Sequence, residues 1–148
     1  MLTVMCGFAR SGKSTWIEEN KKETDVVICP DEIRKEIFGH QFYRPAEGFV
    51  WAFAKSMVRI LFKQNKDVII DATNLTEASR KVWYDIASEY DIDVRVIWIT
   101  TSIEECKKRS KLSREGDVVP DDVLDKMYSG FASPENEAID LIRYNFQD

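Results

Sequence analysis

With 148 residues, 44% of them hydrophobic and 32% charged, the chain is sized and composed for one soluble domain with a core of its own. No apolar stretch approaches a membrane span and no signal peptide is recognisable at Met1-Leu2-Thr3-Val4, so no membrane partner and a cytoplasmic location are expected. The net charge of −5 argues against a broad basic face for duplex nucleic acid, while a local basic pocket gripping a strand end stays open.

The apolar run over 2–6 reads as a buried strand and is followed at once by Gly7-Phe8-Ala9-Arg10-Ser11-Gly12-Lys13-Ser14. This octapeptide matches the phosphate-binding pattern G-x-x-x-x-G-K-[ST], in the strand-to-helix context that gives the pattern its physical meaning. Its glycines permit backbone angles that turn successive N–H groups around an anion. A helix over 13–22 begins there, adding the partial positive charge of its N-terminus, and Thr15 lies in its first turn. Lys13 is expected to reach the outer phosphates of ATP and the Ser14 hydroxyl to ligate Mg²⁺. A chain with this feature binds a nucleoside triphosphate.

Further strands are predicted over 26–29, 68–70, 94–100 and 139–144, and helices over 31–38, 45–65, 77–90, 103–111 and 121–131. Strands alternating with amphipathic helices predict an α/β fold: a five-stranded parallel sheet flanked by helices on both faces. Ser102 and Glu105 form an S-x-x-E capping signal for the helix over 103–111. Within 45–65, Phe49, Phe53, Met57, Ile60 and Leu61 follow helical spacing and are expected in the core. Phe42, Tyr43 or Trp51 remain candidates to flank an acceptor base, and His40, the sole histidine, receives no role. Cys6, Cys29 and Cys106 show no metal-ligand spacing and read as buried thiols of a reducing compartment.

Ligands of an open parallel sheet sit beyond the carboxyl ends of its strands. Asp31 and Arg34 fall there, one helical turn apart, so that both can face one cleft. Asp31 either takes the proton of an attacking hydroxyl or caps its helix; Arg34 either clamps an acceptor phosphate or makes a surface pair. Asp71, at the end of the third strand, is either a second acidic group near the metal or a turn residue. Asn74 is expected to fix that turn. The charged segment 107–120, with Lys107, Lys108, Arg109, Lys111 and Arg114, is the candidate lid. Arg109 and Arg114 are its candidate catalytic cations, since phosphoryl transfer spreads negative charge that an arginine can cover.

Taken together, these residues resemble the kinase domain of the phage-type 5′-polynucleotide kinases, within the P-loop kinase superfamily. The likeness rests on Gly12-Lys13-Ser14-Thr15-Trp16, Asp31-x-x-Arg34, Asp71-x-Thr73-Asn74-Leu75, a basic segment ending in Val119-Pro120, and the stretch from Asp122 to Tyr128. The resemblance implies ATP-dependent phosphorylation of the 5′-hydroxyl of a polynucleotide or nucleotide, with Asp31 as general base and Arg34 on the phosphate 3′ to the acceptor. It further implies Lys13 and an arginine near Arg114 on the donor phosphates, and a possible phage origin with action in the host cytoplasm. It also implies that the approach to the last strand, from Ser133 to Glu137, lies near the adenine. Where the family commonly carries Pro-Gly after the first glycine, this chain has Phe8-Ala9-Arg10. The Asp-x-Asp-x-Thr signature of the associated phosphatase half is absent, so any end-healing activity is expected to be kinase only. The competing expectations are a kinase of a small metabolite, sugar or antibiotic hydroxyl, and a nucleotide-binding switch without acceptor.

Overall fold

The computed structural model describes residues 1–39, 43–137 and 139–146; His40 and Phe42 lie outside the described residues. Five strands form one sheet: β1 (Leu2–Cys6), β2 (Asp25–Ile28), β3 (Asp67–Ile70), β4 (Val94–Ile99) and β5 (Asp140–Tyr144). Their spatial order is β2-β3-β1-β4-β5 and every pairing is parallel. The helices are α1 (Lys13–Asn20), α2 (Pro30–Phe38), α3 (Glu47–Lys63), α4 (Glu77–Glu89), α5 (Ile103–Lys111) and α6 (Asp121–Gly130). Short 3₁₀ turns occupy Arg44–Ala46, Glu115–Asp117 and Pro134–Asn136.

The pleat explains how the central strand organises two faces. Leu2, Val4 and Cys6 of β1 point to one side, where they meet Ala54, Val58 and Leu61 of α3 and Trp83, Ile86 and Ala87 of α4. Met5 points to the other side, against Trp16 and Ile17 of α1, Ile69, Ile97 and Ile99. Because both faces are covered, β1 is buried along its whole length, which is why it reads as a continuous apolar run.

A third apolar cluster ties the end of the sheet to α5 and α6. Phe8 packs there with Leu75, Ile103, Cys106 and Leu124, its ring 5.3 Å from Phe131 and 6.1 Å from Tyr128. The unusual residue after the first glycine is therefore a core residue that anchors the loop to α6.

One core expectation is corrected. Phe49, Phe53 and Ile60 are exposed at 51%, 38% and 48%; the buried stripe of α3 is Val50, Ala54, Val58, Leu61 and Phe62. This helix is apolar on more than one face, so spacing alone did not reveal which stripe meets the sheet. Phe49 instead packs against Phe38 and Phe53 at 5.9 Å each. Pro45 sits inside a 3₁₀ turn that begins at Arg44, and α3 proper begins at Glu47. At α5, the Ser102 side chain accepts from the Glu105 N–H, while the Glu105 carboxylate accepts from Arg109. The reciprocal box is at α4, between Thr76 and Ser79.

Candidate active site

The loop between β1 and α1 has the backbone the octapeptide requires. Gly12 is left-handed at φ +110° and Arg10 at +68°, conformations that turn the chain tightly before the helix. A Cβ on Gly7 would lie 2.7 Å from Ser11 Oγ, which is buried and without a hydrogen-bond partner among the described residues. The Thr101 hydroxyl donates to the Ser11 carbonyl at 2.7 Å, and the Gly7 N–H donates to the Thr73 carbonyl at 3.0 Å. The loop is thereby held by both neighbours of β1. The N–H groups of Gly12, Lys13, Ser14 and Thr15 donate to no acceptor among the described residues. They converge at the start of α1, which is the donor set a phosphate chain requires.

Lys13 curls back over this loop, donating to the carbonyls of Gly7 at 3.0 Å and Phe8 at 2.8 Å. Burial lowers its pKa, and the Asp71 carboxylate opposes the shift. Asp71 is raised, first by burial, with Lys13 opposing and the Asp31 charge reinforcing. The Cys29 thiol, itself raised to about 11 by burial, lies close enough to Asp71 to feel its charge. Lys13, Asp71 and Asp31 are thus near enough for each charge to act on the others. Ser14 is exposed at the first turn of α1. With Asp71 it would supply hard oxygen donors for Mg²⁺, which when bound would neutralise charge on the donor phosphates.

Across from the loop, Pro30 opens α2 with Asp31 in its first turn. Asp31 is 68% exposed; its Oδ1 accepts from Arg34 Nη1. The Arg34 guanidinium, only 12% exposed, forks onto Glu47, with Nε to Oε2 at 2.8 Å and Nη2 to Oε1 at 2.7 Å. Its carbon also lies 5.7 Å from the Trp51 ring. Glu47 was missed in the sequence. Its one signal was an acidic residue at a helix start, and its partner lies 13 residues earlier. Glu47 and Asp31 together take three of the five guanidinium N–H donors of Arg34, leaving two for a further anion.

The basic residues of 107–120 separate into three roles. Lys107 pairs with Asp125 at 2.6 Å and Lys111 with Asp121 at 3.8 Å, fastening α5 to α6. Arg109 donates to the carbonyls of Ser11 at 3.2 Å and Arg10 at 3.4 Å, and to Glu105 at 3.1 Å, bracing the loop. Arg114 is exposed, and its side chain makes no hydrogen bond or ion pair with the described residues. Arg10 reaches the Asp117 carbonyl, linking loop and lid segment. Asn74, at φ +45°, donates to the Met5 carbonyl at 2.8 Å and accepts from the Trp83 indole at 3.2 Å, so it fixes its turn. The approach from Ser133 to Glu137 packs on α4, where Glu137 pairs with Arg80 and Tyr84. The residue that reaches the loop from β5 is Phe146: a Cβ on Gly12 would lie 2.7 Å from its ring. Gly12→Ala is therefore expected to cost about 1–3 kcal/mol, read as a lower melting temperature together with weakened ATP binding. An unchanged melting curve would show that Phe146 yields freely.

A family profile described as AAA domain matches residues 2–134. The bifunctional polynucleotide phosphatase/kinase of Schizosaccharomyces pombe is 32% identical over 113 residues, covering 76% of this chain and 24% of that protein. The L-seryl-tRNA(Sec) kinase of Methanococcus maripaludis is 24% identical over 139 residues, covering 90% of this chain and 53% of that protein. Among solved structures, a chain of the Pnkp1/Rnl/Hen1 RNA repair complex superposes with a TM-score of 0.77 at 25% identity, covering 87% of this chain and 43% of its own. The chain spans from about a quarter to about half the length of the curated relatives it matches. No helix among the described residues is long and apolar enough to cross a membrane.

Proposed function

The chain belongs to the AAA-domain family and has the P-loop kinase fold, and from that premise we propose that it phosphorylates the 5′-hydroxyl of a polynucleotide end using ATP. The observation that carries this reading is the exposed carboxylate of Asp31, held by Arg34 and close enough to Lys13 for their charges to interact. A phosphate-binding loop and a poised base on one rim are the two halves of a transfer site.

In this reading the loop N–H groups and Lys13 hold the donor phosphates, with Ser14 and Asp71 toward the metal. The acceptor hydroxyl oxygen forms a bond to the γ-phosphorus as the bond to the β-phosphate oxygen breaks, and ADP leaves. Asp31 accepts the hydroxyl proton. Arg34 offers its two remaining N–H groups to the phosphate on the 3′ side of the acceptor. The Arg114 side chain, without a partner among the described residues, closes over the equatorial oxygens, an interaction worth about 10³–10⁵ in kcat where arginine fingers have been measured. Arg109 supports the loop from behind. The polynucleotide phosphatase/kinase relative and the RNA repair complex support a nucleic-acid acceptor.

Labelled ATP, Mg²⁺ and 5′-hydroxyl DNA or RNA oligonucleotides are expected to give label at the 5′ end. A higher kcat/KM for a small metabolite, sugar or nucleoside hydroxyl would move the assignment to a small-molecule kinase. ATP binding without acceptor-dependent turnover would sink the kinase reading.

A further inference from the structure

The groove between α3 and α4 contains a cavity of about 220 Å³, lined by Trp51, Lys55, Ser79, Val82 and Trp83. It is smaller than the 300–1,000 Å³ typical of drug-sized ligands, and so suits a single planar ring system. The two indoles that wall it lie 6.4 Å apart with their planes tilted by 47°. Their neighbours leave it almost without polar demands. The Trp83 N–H is taken by Asn74, and the Ser79 hydroxyl is taken by the backbone of Thr76. The half-buried Lys55 side chain makes no ion pair or hydrogen bond with the described residues. Trp83, 1% exposed, closes the floor, so the half-buried Trp51 ring where Arg34 does not cover it and one unpaired cation remain.

The cavity continues directly from the acceptor side of the active site. Glu47, Trp51 and Lys55 are spaced four apart on α3, so they stack on one face at intervals of about one turn. The first grips Arg34 with both oxygens, the second lies under the Arg34 guanidinium, and the third is one turn further along. A strand whose first phosphate rests on Arg34 is thereby directed past Trp51 toward Lys55.

We infer that this groove is the subsite for the second nucleotide of the acceptor strand: Trp51 stacks its base and Lys55 takes the phosphate that follows it. This rests on the polynucleotide acceptor assigned above and adds to it a minimum acceptor length. Stacking on an aromatic side chain is sequence-tolerant, because every base has a π-face. The subsite therefore selects for a second base, whatever its identity.

The test compares three acceptors on the unmodified protein: a nucleoside 3′-phosphate, a 5′-hydroxyl trinucleotide, and the same trinucleotide with an abasic second residue. Losing the second base is expected to lower kcat/KM by about 5- to 100-fold, the equivalent of one base stack. Trp51→Ala should show a similar loss on the intact trinucleotide and little added loss on the abasic one. Such non-additivity marks direct contact and would not arise from a merely structural role. Trp51→Phe keeps a ring and should recover most of the activity. Lys55→Gln, a change at the groove wall, should reduce the salt slope of trinucleotide binding by about 0.7, the contribution of one phosphate on a single strand. An intact and an abasic acceptor of equal kcat/KM, or additive losses, would overturn the subsite alone. If no 5′-hydroxyl strand is phosphorylated at all, the polynucleotide assignment falls and the subsite falls with it.

Discussion

Asp31→Asn is expected to lower kcat for acceptor phosphorylation by about a hundred- to ten-thousandfold, the range a positioned general base contributes, with ATP affinity changed by no more than a few-fold. Asparagine keeps the shape and one oxygen for Arg34 but cannot take a proton. Arg34 does not collapse in this variant, because Glu47 grips its other edge through two hydrogen bonds of 2.8 and 2.7 Å. The phosphate-binding loop keeps its shape, because it is held by Thr73, Thr101 and Arg109 and not by Asp31. Steady-state kinetics beside an ATP titration would separate the two halves. Transfer retained within tenfold would remove Asp31 from the role of base.

The largest expected effect on stability is at Arg80, on α4. Arg80 is fully buried. Its guanidinium donates to Glu137 at 2.9 and 3.0 Å, to the Asn74 carbonyl at 2.8 Å and to the Ala132 carbonyl at 2.8 Å. Arg80→Met fills most of the volume but leaves two carbonyls unpaired and a carboxylate, 13% exposed, with Tyr84 as its remaining partner. Removing one partner of a buried pair costs about 3–5 kcal/mol, which for a domain of this size is a fall of about 6–20 °C in melting temperature. Thermal unfolding by circular dichroism measures it, and a drop below about 3 °C would show that water reaches and satisfies the stranded groups. The pair also sets a pH dependence. Burial raises the Glu137 pKa, but the hydrogen bonds of Arg80 and Tyr84 and the Arg80 charge outweigh it, and the net shift is downward. A depressed carboxylate stabilises fully above its unfolded value, and that contribution is lost as pH falls through the folded one.

How far the sequence carried this reading depended on the range of each interaction. The strands and the loop rest on contiguous residues, and the apolar run of β1 and the octapeptide after it lie where local pattern predicts them. The Asp31–Arg34 pair was legible because both residues sit within one helical turn. Its third member was not, since Glu47 meets Arg34 only after the chain has left α2 and returned as α3. Arg80 and Glu137 are 57 residues apart, and nothing local marks either as buried. Phe8 looked like a departure inside a conserved-looking loop until α6 was packed against it. The misassigned face of α3 has a related cause. Apolar residues occupy more than one stripe of that helix, and only the sheet decides which stripe is covered.

The Cys29 thiol beside Asp71 bears on how the protein would respond to electrophiles and peroxide. Burial pushes all three thiols up to about 11, and at Cys29 the neighbouring Asp71 and Asp31 charges push the same way. At neutral pH the reactive thiolate is then a fraction on the order of one in ten thousand at each sulfur. Alkylating reagents and peroxide act on the thiolate, so a cysteine one residue from the opening of α2 is chemically quiet. The Asp71 and Asp31 carboxylates beside it thus help to shield this sulfur from oxidation.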